Sequence, residues 1–154
     1  MTDPFYAAFE NRHRGSRELI LERLKGYLPF LKPLASVYPG APVIDLGCGR
    51  GEWLQLTQEL GLKSFGVDLD AGMLASCEAL GLPVQQGDAL AYLAGIPDDS
   101  QVVVSAFHLV EHIPFDALQR LVMESLRVLK PGGLLIMETP NPEHIVVGTS
   151  NFYL

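Results

Sequence analysis

The segment of this chain best suited to chemistry is an acidic residue followed by three alternating glycines, Asp45-Leu46-Gly47-Cys48-Gly49-Arg50-Gly51. The apolar stretch that leads into it, Val43 to Leu46, predicts a buried strand that passes directly into a tight turn. Glycine allows backbone angles that a side chain forbids, and it lets a ligand approach the main chain closely. A helix predicted from about Glu52 would direct free N–H groups and the positive end of its dipole at the same place. These residue types predict a ligand site at the end of the first strand.

The spacing of the glycines separates two classes of ligand. A dinucleotide fingerprint reads G-x-G-x-x-G/A, whereas this chain reads G-x-G-x-G and has Glu52 at the place of the third glycine. A carboxylate there would repel a pyrophosphate at the start of the helix. Asp45 is also foreign to that fingerprint, but it suits a ligand that carries an ammonium group and a sulfonium. A plain strand-to-helix turn without a ligand is the alternative interpretation.

Two further acids follow the next two predicted strands. Asp68 closes the second strand, 17 residues after Gly51, where its carboxylate can accept hydrogen bonds from two ribose hydroxyls. Capping the next helix is the alternative role, and Asp70 suits that role better. Asp88 follows the third strand and can cap a short helix predicted from Ala89. The sequence therefore predicts carboxylates at the same edge of the sheet as the glycine turn.

Two histidines and a glutamate follow the fourth predicted strand, at His108, Glu111 and His112. An imidazole titrates near neutral pH, so either histidine can accept the proton of a substrate hydroxyl. Glu111 and His112 can alternatively help to hold a divalent ion, although two adjacent ligands are a weak metal signal. A third interpretation is that these two residues cap the helix expected to begin at Pro114.

The glycine segment resembles motif I of the class I S-adenosylmethionine-dependent methyltransferases, which carry D/E-x-G-x-G-x-G after the first strand. This resemblance implies methyl transfer from S-adenosyl-L-methionine, with S-adenosyl-L-homocysteine as the product. It also implies that Asp88 faces the adenine, where it can cap its helix as well. The cofactor-binding residues expected from this resemblance are Tyr6, Arg17, Asp45, Gly47, Cys48, Gly49, Gly51, Asp68, Leu69, Asp88, Ala89 and Phe107.

The N-terminal stretch interleaves aromatic residues with arginines, which suits a lid over a cofactor. Within it, Arg17 is expected to pair with the methionine carboxylate of the cofactor. This stretch, the glycine segment and the sequences "VEHIP" and "TPNP" together resemble methyltransferase domains from bacterial surface-polysaccharide gene clusters. That narrower resemblance implies an acceptor oxygen on a small molecule or a glycan end, and the basic residues Arg12 and Arg14 favour an anionic acceptor.

The elements that position these residues alternate between strands and helices, which predicts an α/β protein with a doubly wound, Rossmann-like parallel sheet. The resemblance implies the strand order 3-2-1-4-5. Residues 1–40 are expected to form a helical arm or lid, in which Pro29, Pro33 and Pro39 interrupt the helix, and residues 41–154 the cofactor-binding core. "LKPGG" predicts a turn before a fifth strand over Leu134 to Met137.

The family resemblance implies two more strands, six and seven, after strand five, and these are expected to be missing from the chain. A sheet without them would expose an edge strand, which predicts a homodimer through that edge.

The composition limits the partners. A formal net charge of −7 argues against nucleic-acid binding. Two cysteines favour a reducing, cytoplasmic compartment, and no apolar run is long enough to span a membrane. Two other functions remain open: a nicotinamide-dependent oxidoreductase, and a non-catalytic scaffold domain.

Overall fold

The computed structural model describes residues 15–141 and 143 of the 154. Two helices linked by a short 3-10 turn (Lys25–Tyr27) precede the sheet, and strands and helices then alternate. The strands are β1 Pro42–Leu46, β2 Lys63–Asp68, β3 Val84–Gln86, β4 Gln101–Phe107 and β5 Leu129–Glu138. The helices are α1 Arg17–Leu24, α2 Leu28–Val37, α3 Glu52–Glu59, α4 Ala71–Ala79, α5 Ala89–Ala94 and α6 Phe115–Val128, and a further 3-10 turn covers Val110–His112.

All five strands are parallel and lie in the order β3-β2-β1-β4-β5. In the register of the sheet, Val43 pairs with Ser64 on one side and with Val103 on the other. The chain therefore winds in one direction from β1 to β3 and in the other from β1 to β5. The predicted fold class and strand order are confirmed. The reversal between β1 and β4 places the glycine turn at a switch point, where ligands bind in open α/β sheets.

Hydrophobic residues cover both faces of the sheet. On one face, Leu31 from α2 and Trp53 from α3 pack with Val43 and Val103. On the other face, Leu93 from α5 and Leu121 from α6 pack with the other side of the strands, including Ile44. The two helices before the sheet thus share its hydrophobic core.

Two of the three prolines before the sheet do not break the helix as the sequence predicted, whereas Pro39 follows the end of α2 at Val37 and lies in the turn before β1. The 3-10 turn restarts the helix at Leu28, so Pro29 lies in the first turn, where a missing N–H costs nothing. Pro33 lies inside α2 and gives up one backbone hydrogen bond. The burial of Leu31 and Leu34 on the same helix offsets that loss.

The Pro131-Gly132-Gly133 segment is also not a turn before strand five. It lies inside β5, which begins at Leu129, and it produces a register shift against β4 between Gln101 and Val103. Gly132 takes a positive φ of 74° there, so the extra residues bulge out while the strand continues.

In the part of the chain that the structure describes, none of the helices combines the length and the apolar character needed to cross a membrane.

Candidate cofactor and active site

The glycine turn folds over the end of β2. Its three glycines have positive φ angles of 72°, 51° and 78° at Gly47, Gly49 and Gly51, and the last is the N-cap of α3. The N–H groups of Gly47 and Cys48 both donate to the carbonyl of Val67, at 2.8 and 3.1 Å. These bonds fix the turn beside the end of the neighbouring strand, as a cofactor site shared by β1 and β2 requires.

Asp68 joins the two strands at this point. Its Oδ2 accepts a hydrogen bond of 2.8 Å from the Gly49 N–H, and its Oδ1 accepts one of 2.9 Å from the Asp70 N–H. Each carboxylate oxygen keeps a further lone pair, so the group can still accept from two hydroxyls. Asp70 itself caps α4 through bonds from the N–H groups of Gly72 and Met73, as the sequence predicted.

Asp45 is buried, with only 2% of the residue exposed. Ser105 on β4 donates a hydrogen bond of 2.7 Å to its Oδ1. Burial, together with the nearby charges of Asp68 and Glu52, raises the pKa of Asp45 to about 7, although the bond from Ser105 acts in the opposite direction. Asp45 and Asp68 thus place two carboxyl groups beside the side-chain-free glycine turn. This arrangement fits a ligand that carries an ammonium and a sulfonium, as S-adenosylmethionine does.

The charge of Glu52 is compensated by two arginines. Its Oε1 lies 2.8 Å from Arg50 Nη2 and 4.0 Å from Arg17 Nη1. The expected repulsion between Glu52 and a pyrophosphate is thus weaker than the sequence suggested, because the sequence did not show these ion pairs. The preference for a sulfonium ligand over a dinucleotide therefore rests on the glycine spacing and on Asp45, not on Glu52.

Arg17 ties α1 to the glycine turn. Its Nε and Nη2 donate to Gln55 Oε1 at 3.0 and 2.9 Å, and its Nη1 donates to the carbonyl of Arg50 at 2.8 Å. The guanidinium therefore lies beside the start of α3. Its pairing with a cofactor carboxylate stays a prediction; the bonds to described residues engage three of its five N–H donors.

The other residues expected at the cofactor have diverse surroundings. Tyr6 lies outside the described residues. The Cys48 side chain is buried against β2, where a Cβ built on Gly66 would lie 2.6 Å from its sulfur. A contact from Cys48 to the cofactor would therefore have to come from its backbone.

Two further residues expected at the cofactor lie next to the acids that end β2 and follow β3. Leu69, beside Asp68, is 70% exposed, and Ala89, beside Asp88, is the first residue of α5.

Asp88 caps α5, since its Oδ1 accepts a hydrogen bond of 2.8 Å from the Ala91 N–H. The capping alternative is correct, and the exposed carboxylate retains lone pairs for an adenine amine. Asp88 also borders a cavity of about 740 Å³, which runs under α5 to Pro42 and Lys63, at the amino ends of β1 and β2. The glycine turn does not line this cavity, so the candidate cofactor site is defined by the turn and the ends of the strands.

The segment after β4 reaches the glycine turn. A Cβ built on Gly47 would lie 3.5 Å from Leu109 Cδ1, which shows how closely this segment covers the turn. His108 adopts a left-handed backbone, with φ of 54°, and its N–H donates to the carbonyl of Glu138 at 2.8 Å. Phe107, the last residue of β4, packs its ring against Trp53 on α3, with centroids 4.9 Å apart.

His108 lies between two carboxylates. Its Nδ1 is 3.5 Å from Glu111 Oε1, and its Nε2 is 3.7 Å from Glu138 Oε1. The Glu111 side chain is only 5% exposed, and neither of its oxygens has a hydrogen-bond partner among the residues that the structure describes. A buried carboxylate without a donor is costly, so Glu111 is suited to receive a donor from a ligand or a water.

Glu111 and His112 do not cap α6. The N-cap is Pro114, with no side-chain hydrogen bond to the helix, so that interpretation is wrong. The two residues instead belong to the 3-10 turn, in which the His112 N–H donates to the carbonyl of Leu109 and the His112 side chain is exposed. Across residues 15–141 and 143, no group of three or more His, Cys, Asp or Glu side chains is arranged to hold a metal ion.

Sequence reasoning gave no role to Ser105 or Tyr27, and it placed Glu138 only at the border of an acceptor pocket. Tyr27 Oη donates a hydrogen bond of 2.6 Å to Glu138 Oε2, across 111 residues of sequence. A signal for Ser105 and Glu138 was present, because parallel strands that carry Asp45 and Asp68 at one edge must bring the polar residues near the ends of β4 and β5 to the same edge. No signal pointed to Tyr27, which reaches the site from the 3-10 turn before the sheet.

Comparisons with known proteins agree with this geometry. The sequence profile of the family described as "Methyltransferase domain" matches residues 44–137. The chain is 36% identical over 110 residues to a probable S-adenosylmethionine-dependent methyltransferase of Mycolicibacterium smegmatis, covering 70% of this chain and 41% of the relative. It is 30% identical over 114 residues to a ubiquinone biosynthesis O-methyltransferase of Burkholderia thailandensis, covering 67% and 46%.

A solved structure is also similar. The crystal structure of a SAM-dependent methyltransferase from Archaeoglobus fulgidus is 38% identical, with a TM-score of 0.80, over 90% of this chain and 59% of that chain. This chain thus spans less than half the length of the two curated relatives. The profile covers more than half of the chain and includes the turn, Asp68 and the segment after β4. The chain therefore belongs to the family of S-adenosylmethionine-dependent methyltransferase domains.

Proposed function

We propose that this chain binds S-adenosylmethionine at the carboxyl edge of its sheet and transfers the methyl group to an oxygen of a small molecule or a glycan end. The observation that carries the proposal is the hydrogen bond from the Gly49 N–H to Asp68, which holds the glycine turn against the end of β2. The buried carboxylate of Asp45 lies in the strand that leads into this turn. A nicotinamide-dependent oxidoreductase is not supported, because the family and the glycine spacing both differ from it.

The residues around the turn have distinct roles in this proposal. Asp68 holds the ribose hydroxyls, Asp45 attracts the ammonium group, and Asp88 accepts from the adenine amine. Arg17 pairs with the cofactor carboxylate. The bound cofactor supplies a methyl group activated on a sulfonium. Positioning of the acceptor oxygen in line with that group can provide about 7–11 kcal/mol of the rate enhancement.

His108 is the proposed base for the acceptor hydroxyl. It follows β4 at the same edge as the turn, and Leu109 beside it covers Gly47. In this scheme an imidazole nitrogen would take the hydroxyl proton, and the acceptor oxygen would take the methyl group as its bond to the cofactor sulfur breaks and S-adenosylhomocysteine leaves. Glu111 is close enough to stabilise the imidazolium. His112, which is exposed, is the second candidate for the base, and loss of transfer in His112→Ala but not in His108→Ala would assign the role to it.

The nature of the acceptor is supported from two sides. One relative is named as an O-methyltransferase of ubiquinone biosynthesis, which supports an oxygen acceptor. The narrower resemblance to polysaccharide-cluster domains supports a glycan end, and the basic residues before the sheet favour an anionic group on the acceptor.

Two further properties are part of the proposal. Cys48 and Cys77 are both free and buried, which supports a reducing, cytoplasmic environment. In the described residues β5 pairs with β4 on one side, which supports a homodimer formed through its other edge. Light scattering tests the dimer, and a monomeric mass would contradict it.

Calorimetric titration and a transfer assay test the function. We expect S-adenosylhomocysteine to bind with one site per chain, and NADH not to bind. We also expect label from methyl-tritiated S-adenosylmethionine to reach at least one of three hydroxyl probes, namely catechol, methyl mannoside and mannose 6-phosphate. Absence of S-adenosylhomocysteine binding to folded protein would refute the proposal. Binding without transfer to any probe would instead favour the non-catalytic scaffold.

A further inference from the structure

A line of contacts connects the segment before the sheet to His108. Tyr27, in the 3-10 turn between α1 and α2, donates its hydroxyl to Glu138 Oε2 at the end of β5. The other carboxylate oxygen, Glu138 Oε1, lies 3.7 Å from His108 Nε2. The backbone carbonyl of the same glutamate accepts from the His108 N–H. One residue of β5 therefore fixes His108 from both its main chain and its side chain.

Tyr27 is itself held firmly. Its ring packs edge-on against Trp53 and against Phe107, with centroids 5.6 Å apart in each case. Burial and the bond to Glu138 raise the pKa of Tyr27 to about 12, so the phenol stays protonated near neutral pH. The hydroxyl therefore keeps its proton and donates its hydrogen bond to Glu138 Oε2 throughout the neutral pH range.

This arrangement limits the orientation of the imidazole. Glu111 lies on the Nδ1 side of the ring and Glu138 on the Nε2 side, while φ of 54° fixes the backbone. Glu138 is about half exposed, so without Tyr27 its side chain would have several accessible rotamers. The bond from Tyr27 selects the one that directs Oε1 to the imidazole.

We propose that Tyr27 and Glu138 are positioning residues for His108, so that the segment before the sheet helps to set the geometry of the base. The inference depends on the proposed function for its catalytic meaning. The orientation of His108 by these two residues is nevertheless a property of the protein without any ligand, and it can be measured separately.

The decisive measurement is the nitrogen NMR spectrum of the His108 imidazole in the ligand-free protein. We expect Tyr27→Phe, which removes only the hydroxyl, to change the ring shifts and the tautomer populations of His108, and Glu138→Gln to change them more. Tyr38→Phe is the matched control, because Tyr38 also donates its hydroxyl to an acceptor of β5, the carbonyl of Pro131, at 3.0 Å. An unchanged His108 spectrum in folded Tyr27→Phe protein would overturn the inference.

Kinetics with a hydroxyl probe that accepts label separate this inference from the proposed function. We expect Tyr27→Phe to lower kcat about tenfold, while the KM for S-adenosylmethionine and the Kd for S-adenosylhomocysteine stay within twofold of the wild-type values. Tyr38→Phe should leave kcat unchanged. In a His108→Ala background, Tyr27→Phe should have no further effect, because the tyrosine acts through the histidine.

Normal methyl transfer by Tyr27→Phe would overturn the positioning role and leave the proposed function intact. A wild-type protein that binds no S-adenosylhomocysteine would overturn the proposed function, and with it the catalytic meaning of this contact.

Discussion

Ser105 on β4 donates a hydrogen bond of 2.7 Å to the carboxylate of Asp45 on β1, and both residues are buried. The bond joins the two strands at the switch point of the sheet. It also supplies the Asp45 carboxylate with a donor in a place that excludes water, where an unpaired charge would be costly.

The raised pKa of Asp45 predicts that stability depends on pH. The native state binds a proton up to about pH 7, whereas the unfolded state releases it near the ordinary value of 3.8. The free energy of unfolding should therefore fall as pH rises between these values, by at most about 1.4 kcal/mol per pH unit, and stay level above them. Asp45→Asn should remove this slope.

Urea denaturation at pH 5, 6, 7 and 8 measures this effect as the difference between wild type and Asp45→Asn. Ser105→Ala provides a second test. Loss of its hydrogen bond should raise the pKa of Asp45, so the fall in the free energy of unfolding should extend to higher pH. Parallel pH profiles for wild type and Asp45→Asn would contradict the assignment.

Asp68→Asn tests the proposed contact with the ribose. The amide keeps the size of the side chain but loses the charge and one acceptor oxygen, so we expect the Kd for S-adenosylhomocysteine to rise about 10–100-fold. Asp70→Asn is the control two residues away, since asparagine is also a good N-cap and should preserve both folding and affinity. Calorimetry measures both constants, and equal affinities in the two variants would argue against the ribose contact.

Gly51→Ala should destabilise the protein more than Gly61→Ala does. Both glycines have φ of 78°, so the two variants share the backbone strain. A Cβ on Gly51 would also lie 2.7 Å from Leu82 Cδ1 and 2.8 Å from Cys77 Sγ, whereas a Cβ on Gly61 would meet nothing within 4 Å. We expect a difference of about 1–3 kcal/mol in the free energy of unfolding, measured by urea denaturation. Equal losses would show that the core accommodates the added methyl group.

Arg17→Ala should loosen α1 from the glycine turn. The variant loses the hydrogen bonds to Gln55 and to the carbonyl of Arg50, so we expect weaker binding of S-adenosylhomocysteine and a lower thermal midpoint. Arg17→Lys should restore little, because a single ammonium cannot reproduce the guanidinium fork. Arg23→Ala is the control, because the Arg23 side chain is exposed in the last turn of the same helix. Wild-type affinity in Arg17→Ala would separate α1 from the cofactor site.

The sequence was sufficient to predict the strands and the edge at which the site forms, because these depend on local patterns. Alternation of apolar runs with glycine and aspartate located β1 to β4 within a residue or so, and the acids at the strand ends followed from the parallel topology. Pro33 was mispredicted because the burial of Leu31 and Leu34 on α2 outweighs the local preference for a break. The bulge at Gly132 was mispredicted because β5 pairs with β4 on both sides of it, so the strand continues through the proline and glycines.

The contacts made by individual side chains could not be predicted in the same way. Tyr27 and Glu138 are 111 residues apart, and their bond depends on the path of two helices before the sheet. Likewise the ion pairs of Glu52 require that α1 lies beside α3, which no periodicity reveals. For the same reason, the sequence placed His108 and His112 on equal terms, while the fold places the first between carboxylates and exposes the second.

The close approach of Gly66 to Cys48 has a consequence for variation of this protein. An alanine at position 66 would press its methyl group onto the sulfur and Cβ of Cys48, at 2.6 and 2.7 Å, and onto Leu54 Cδ1 at 2.8 Å. The residue allowed at position 66 therefore depends on the residues at positions 48 and 54. In a library that randomises all three sites, we expect alanine at 66 to survive selection only with smaller residues at both 48 and 54.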